Sequence, residues 1–372
     1  MKHIDWWYTE IGEAEKHSLL TAFDDKRFSL GSGAAAYEAR LCEWLDVPFA
    51  VATTSGTTAL TMALLAAGVG PGDEVIVPDL PWIGTAQAAA VLGARVVLAD
   101  CLPDATLIDP DQVRRKITPR TKAIIPVHTN GRPCALAELK TIAEDSGAIL
   151  IENACKALGS KAEGRYLGTL GEMGCFSHGL VSLVSMGHGG TIVTHDRARY
   201  EQLRLIRDHG VVRSSQDGSD RYDHLAANYK ISDLLCAIGL AQLERVEEKS
   251  AHLRRIYRRY VDGLAASTQV RIIPVDIEFG NLPLLVEVRT RYREQLAHYL
   301  AAQDVATSKF HPPLHQARYL KAEGAFPNAS RFADEGIVLP CGPSQPLENV
   351  DRCVELIHRW EQELQAPRRA RA

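Results

Sequence analysis

The chain has 372 residues, 42 Lys and Arg against 46 Asp and Glu, and a formal net charge of −4. That length predicts two domains with a substantial core. Fractions of 46% hydrophobic and 24% charged residues exclude global disorder, and the balanced charge excludes a dedicated nucleic-acid binder, which needs a basic face to displace counterions.

Apolar stretches such as 86–92 fall short of the roughly 20 residues that cross a bilayer, so no membrane partner is expected. The first residues, Met-Lys-His-Ile-Asp-Trp-Trp, hold no apolar segment of a secretory signal. The eight cysteines, Cys42, Cys101, Cys134, Cys155, Cys175, Cys236, Cys341 and Cys353, include no C-x-x-C pair. The spacing suits neither a zinc site nor a disulfide scaffold, and predicts small buried hydrophobes in a reducing cytoplasm.

In chain order, a helix is predicted at 11–23, a Gly-Ser-Gly break at 31–33 and a helix at 34–45. Strands follow at 49–52, 74–78, 95–100, 122–127 and 148–152, with helices at 57–67, 82–92 and 135–146 between them. This alternation predicts βαβ units and a mostly parallel sheet covered on both faces. A helix at 198–207, a polar loop at 213–223 and one long helix from 232 to 264 come next. Strands at 270–274 and 284–288 and helices at 291–303 and 347–365 complete the chain. The predicted domains are 1–245, a large α/β unit, and 246–366, a smaller α+β unit, with the boundary in the long helix and a frayed basic tail at 367–372.

Two segments stand out for chemistry. Thr54-Ser-Gly-Thr-Thr joins a strand end to a helix start, where hydroxyls and backbone N–H groups suit a phosphate. A plain N-cap would use the same residues. Trp82 falls just past the end of a strand, where ligands of open α/β sheets bind and a flat ring could stack on a planar ligand. Core packing is the alternative.

Several motifs, in the expected order, carry a resemblance. They are Ser55-Gly-Thr-Thr-Ala-Leu, Gly70-Pro-Gly-Asp-Glu-Val-Ile-Val-Pro, Val127-His-x-x-Gly, Arg207-Asp-His-Gly, Asn228-Tyr-Lys-Ile-Ser-Asp, Ala237-Ile-Gly-Leu-Ala-Gln-Leu-Glu-Arg, His311-Pro-Pro-Leu-His and Leu339-Pro-Cys-Gly-Pro-Ser. The chain resembles the DegT/StrS family of sugar aminotransferases from about residue 11 to 364. The resemblance implies the fold-type I architecture: a large domain with a mostly parallel seven-stranded sheet, a smaller C-terminal α+β domain, and a homodimer with sites at the interface. Members usually use pyridoxal phosphate (PLP) to aminate keto sugars carried on nucleotides. The resemblance further implies a phosphate cup of Ser55, Gly56, Thr57, Ser177 and Asn228, the last reaching over from the neighbouring copy.

Departures from the pattern are concentrated in one place. The strand ending Ile151-Glu-Asn puts Asn153 where the family has the aspartate that bonds the pyridine nitrogen. An amide cannot hold the pyridinium proton as a carboxylate does. Lys156 stands where Gln or His is usual, and Pro81 where Thr is common. Aligned without a gap on Phe176-Ser177 and Gly189-Gly190, the Schiff-base lysine position falls on Ser182, and no lysine occurs between Lys161 and Lys230. A hydroxyl can neither form the imine nor act as the amine base.

His128 and His209 match ordinary family positions and read as structural. His178 and His188 flank the lost lysine and are expected in the cofactor cavity as acid/base groups, against a packing role. Lys156 reads as a substitute amine, as a point charge for an anionic ligand, or as a surface side chain. The expectation is a PLP-independent enzyme working on a small anionic sugar, nucleotide sugar or related metabolite through His178, His188 and Lys156. It has no covalently held cofactor and no metal, and Ser55, Gly56, Thr57, Trp82, Asn153, Ser177, Ser182 and Asn228 line the cavity. The alternatives are a non-catalytic partner subunit of an active homologue, forming a heterodimer with it, and a sugar dehydratase or aminotransferase using pyridoxamine phosphate (PMP).

Overall fold

The computed structural model describes residues 3–26, 28–29, 31–213, 219–224 and 226–365. The tail expected at 367–372, and 214–218 of the expected polar loop, lie outside the described residues. Two helices open the chain, α1 (Glu13–Asp24) and α2 (Ser32–Leu45). Strands then alternate with helices: β1 (Phe49–Thr53), α3 (Gly56–Ala66), β2 (Glu74–Pro78), α4 (Gly84–Ala90), β3 (Arg95–Ala99), α5 (Pro110–Lys116), β4 (Thr121–Ile124), α6 (Leu136–Ser146) and β5 (Ile149–Asn153). β6 (Met173–Ser177), β7 (Gly190–Thr194) and α7 (Arg197–Arg207) follow.

The seven strands form one sheet in the order β1-β7-β6-β5-β4-β2-β3. β7 is antiparallel to both its neighbours, and the remaining pairs are parallel. β2 is buried along its whole length, as a strand covered by helices on both faces must be. α3 buries Ala59, Leu60, Met62, Ala63 and Leu64, so it is a core helix packed on the sheet. Topology puts the C-terminal ends of β1, β2, β5 and β6 along one edge of the sheet, the crevice where open α/β sheets bind ligands.

The long helix expected over 232–264 is two helices, α8 (Asp233–Glu244) and α9 (Val246–Gly263), broken at Arg245 with φ −110° and ψ 12°. α8 packs on α1 and α2, whereas α9 packs on α12 (Leu347–Gln365), so the apolar faces of the two helices need different directions. Arg245 fixes the corner by pairing with Glu10 at 2.8 Å and Glu248 at 3.1 Å.

A second, antiparallel sheet follows, ordered β8-β9-β11-β10. Its strands are β8 (Arg271–Ile272), β9 (Val286–Arg289), β10 (Ser308–Lys309) and β11 (Gly336–Leu339), with α10 (Arg293–Ala302) and α11 (Pro327–Glu335) between them. The N-terminal segment joins this part of the molecule: Ile4 bridges to Val305 and Trp7 to Cys341. Buried Arg132 ties the two sheets together, donating to the Pro274 carbonyl at 2.7 Å and to Glu287 at 2.6 Å. Among the described residues all eight cysteines are free, and six are buried. No described helix is long and apolar enough to cross a membrane.

Candidate functional site

The site begins at the head of α3. Ser55 is its N-cap, extended at φ −165° and ψ 165°, and its hydroxyl accepts from the Thr58 N–H at 3.1 Å. A cap of this kind leaves the first N–H groups of the helix facing outward, with the helix dipole behind them. Gly56 lies so close to β6 that a Cβ there would sit 2.8 Å from both the Ser177 Cβ and the Cys155 Sγ. A Cβ on Gly190 would come within 2.2 Å of the Ser55 carbonyl oxygen. Two glycines thus let strands β6 and β7 press against the helix start and bring Ser55, Thr57 and Ser177 into one group of hydroxyls.

The aromatic wall comes from the loop after β2. Trp82 is 59% exposed and meets His311 edge-on, with ring centroids 4.7 Å apart. A Cβ on Gly84 would lie 2.5 Å from the Thr57 Oγ1 and 3.1 Å from the Trp82 ring, so Trp82 stands directly beside the hydroxyl group. Burial and the neighbouring Lys156 push the His311 pKa down.

At the end of β5, Asn153 is 5% exposed. Its Nδ2 donates to the Thr85 hydroxyl at 2.9 Å and its Oδ1 accepts from the Cys155 N–H at 3.1 Å, leaving one amide hydrogen uncommitted. Beneath it, buried Glu152 accepts from His128 Nε2 at 2.8 Å and from the N–H groups of Gly168, Leu170 and Gly171. His128 Nδ1 accepts from the Cys134 N–H, so this histidine is structural.

The loop between β6 and β7 is closed on itself: His178 N–H donates to the Gly189 carbonyl and Met186 N–H to the His178 carbonyl, both at 2.9 Å. Within it Ser182 is buried, and its hydroxyl has no hydrogen-bond partner among the described residues. The carbonyls on either side of Ser182 are held by amines. Lys156 Nζ donates to Val181, and Lys249 Nζ donates to Leu183 at 2.8 Å. Trp7 and Thr9 hold Leu180. Burial pushes the Lys156 amine down to about 8, and does the same to Lys249.

The three residues expected to converge do not share one cavity. Successive strand residues face opposite sides of a sheet, so Ser177 faces α3 while His178 faces α2. There the His178 ring is wholly buried, its Nε2 3.0 Å from the Tyr37 hydroxyl and 2.8 Å from the Thr191 Oγ1. Burial pushes its pKa down to about 4, which makes it a neutral packing group rather than the expected acid/base. His188 is exposed at the loop tip between Gly187 and Gly189, both at positive φ. Asn228 is also exposed, paired by a backbone bridge to Asp208. Lys156 alone of the three lies beside Ser182.

Residues that the sequence did not assign to the site are His311, Cys155, Thr85 and Lys249. The His311-Pro-Pro-Leu-His motif was a signal for the first. Nothing local marks the others, which arrive through topology.

The DegT/DnrJ/EryC1/StrS aminotransferase family model matches residues 9–358. The chain is 30% identical over 363 residues to the GDP-perosamine synthase of Escherichia coli O157:H7, covering 97% of this chain and 99% of that one. It superposes on Streptomyces venezuelae DesV, solved with a ketimine intermediate, with a TM-score of 0.90 at 28% identity, over 97% of this chain and 99% of that one. Its fold also matches Streptococcus pneumoniae Spr1654, solved in a PLP-form, with a TM-score of 0.91 at 23% identity, over 98% and 100% of the two chains.

These findings correct the expectation of an enzyme without a cofactor, because the matched family is one of aminotransferases and a solved neighbour at 28% identity holds a ketimine intermediate. The residues present fit such a group. The cradle at Gly56, which a Cβ would fill, suits its phosphate. With its sheet order, its site at the strand ends and a match over almost its full length, the chain belongs to the DegT/DnrJ/EryC1/StrS aminotransferase family.

Proposed function

We propose that the chain takes part in sugar biosynthesis by transferring an amino group to the carbonyl carbon of a nucleotide-linked keto sugar, using PMP and PLP. The observation that carries this reading is the phosphate cradle at the head of α3: Ser55, Gly56 and Thr57 pressed against Ser177 by a glycine that tolerates no side chain. The curated relative named as a GDP-perosamine synthase supports a nucleotide-linked sugar as the substrate class.

When bound, the cofactor supplies an amine carrier and an electron sink. The α3 N–H groups and the hydroxyls of Ser55, Thr57 and Ser177 would bind its phosphate. Trp82 would cover one ring face. Asn153 would offer its spare amide hydrogen to an unprotonated ring nitrogen, where a carboxylate would hold a proton there. That exchange weakens electron withdrawal, so the base that moves the proton matters more in this chain. In this reading a second copy contributes Asn228 from its exposed loop.

The test is a single turnover. Protein loaded with PMP is mixed with a GDP- or dTDP-linked 4-keto sugar, and the products are read by mass spectrometry. One equivalent of amino sugar per site supports the reading, and a deoxygenated sugar without nitrogen would replace it with dehydration. The occurrence of both Ser182 and Asn153 in one site favours one second reading, a ligand-holding subunit of an active homologue. There, PMP binds but the sugar turns over only when the homologue is added.

A further inference from the structure

We propose that Lys156 is the reactive amine of this site, forming the carbon–nitrogen bond to the aldehyde of PLP that no lysine at position 182 can form. The assignment rests on the cofactor-using reading above.

Position is the first argument. Lys156 follows Asn153 by three residues in the turn leaving β5, and its Nζ reaches the Val181 carbonyl, one residue from Ser182. His311, whose pKa burial and the Lys156 charge push down, meets Trp82 edge-on. Trp82 stands beside Thr57 across Gly84. The amine thus reaches the loop that carries Ser182, and the aromatic wall adjoins the phosphate cradle.

Elimination is the second. Lys249 also reaches this loop, but it is 1% exposed and its Nζ is engaged by both Leu183 and Gln242 at 2.8 Å. Lys161 lies over the Tyr166 ring, and Lys230 is paired with Asp208 at 2.6 Å. Lys156 is only partly covered, and among the described residues no carboxylate pairs with it.

The third argument is chemical. A half-buried cation without a counter-charge is costly, and the protein relieves that cost by shedding the proton. Burial brings the amine down to about 8, so a sizeable fraction is neutral near that pH. In the step itself the neutral Nζ adds to the aldehyde carbon, a carbon–nitrogen double bond replaces the carbon–oxygen one, and the oxygen departs as water with both amine protons. No further reactant is needed.

The experiment uses full-length protein with one equivalent of PLP. Binding is followed by absorbance, the mixture is reduced with borohydride, and the digest is mapped by mass spectrometry. The expected result is a pyridoxyl group on the peptide carrying Lys156, forming about fivefold more slowly at pH 7 than at pH 8 and about tenfold more slowly again at pH 6. Lys156→Arg should abolish the adduct while PLP still binds. Bound PLP with no adduct, or an adduct on another lysine, overturns the assignment alone. Absence of any bound PLP overturns the functional reading and this assignment with it. The wild-type map decides the question even if the variant does not fold.

Discussion

The head of α3 and the loop between β6 and β7 share one edge of the sheet, and they are built in opposite ways. The α3 end is local. Ser55, Gly56 and Thr57 are consecutive, and Gly56 and Gly190 let two strands close on them. The loop end is assembled from afar. Its carbonyls at 180, 181 and 183 are held by Trp7, Lys156 and Lys249, and the side chain at its centre, Ser182, makes no hydrogen bond among the described residues. In the proposed reading, grip on a phosphate and control of a proton fall to separate pieces of chain, so one can be rebuilt while the other keeps its form.

The largest effect should come from damaging the local end. Gly56→Ala places a Cβ 2.8 Å from Ser177 and Cys155 and displaces the donors that face the phosphate. Losing two charge-assisted hydrogen bonds of about 1.5–3 kcal/mol each predicts at least ~10²-fold weaker PMP binding, measured by calorimetry. Unchanged binding would mean that the cradle holds no phosphate.

The next concerns stability rather than binding. His178 titrates near 4 when folded, below its ordinary value near 6.5. The unfolded chain therefore takes up a proton first as pH falls. The stabilisation is complete above about 6.5 and is lost as pH drops toward about 4, amounting to roughly 3 kcal/mol. Urea midpoints at pH 7 and pH 4.5 should show this acid loss in the wild type and much less of it in His178→Gln. Equal acid loss in both would instead return His178 to a solvated, titrating role.

A smaller loss is expected on the aromatic wall. Trp82 is largely exposed, and Trp82→Ala should weaken PMP binding by about five- to tenfold, the scale of one aromatic stacking contact of about 1 kcal/mol. The smallest change is expected at Ser182. Removing an unpartnered buried hydroxyl relieves a desolvation cost of about 1 kcal/mol, so Ser182→Ala should raise the melting temperature slightly and leave PMP affinity within about threefold. A large loss of affinity there would erase the contrast between the two ends.

The same contrast explains what the sequence disclosed. Strands such as Glu74–Pro78 were readable because a strand buried on both faces is a short continuous apolar run. The phosphate turn was readable because it is contiguous. The break at Arg245 was hidden, since apolar residues continue across it at Leu243 and Val246 and the corner is set by Glu10, far away in sequence. The two-residue strand Ser308–Lys309 carries no periodic signal of its own. His178 was assigned to the wrong face because its neighbours were read by proximity in the chain. Counting alternation from Ser177 would have turned it toward α2. Of the surroundings of Ser182 the sequence named Lys156 alone, because Trp7 and Lys249 reach its loop only once the sheet and α9 are in place.

The central claim is that the head of α3 grips a cofactor phosphate. The most direct measurement is a paired titration of the purified protein with PMP and with pyridoxamine, which differ only in the phosphate. The account predicts saturable binding of PMP at one site per chain, at least ~10²-fold tighter than pyridoxamine, with the difference abolished by Gly56→Ala. Equal affinity for the two compounds, or no binding of either, would contradict it.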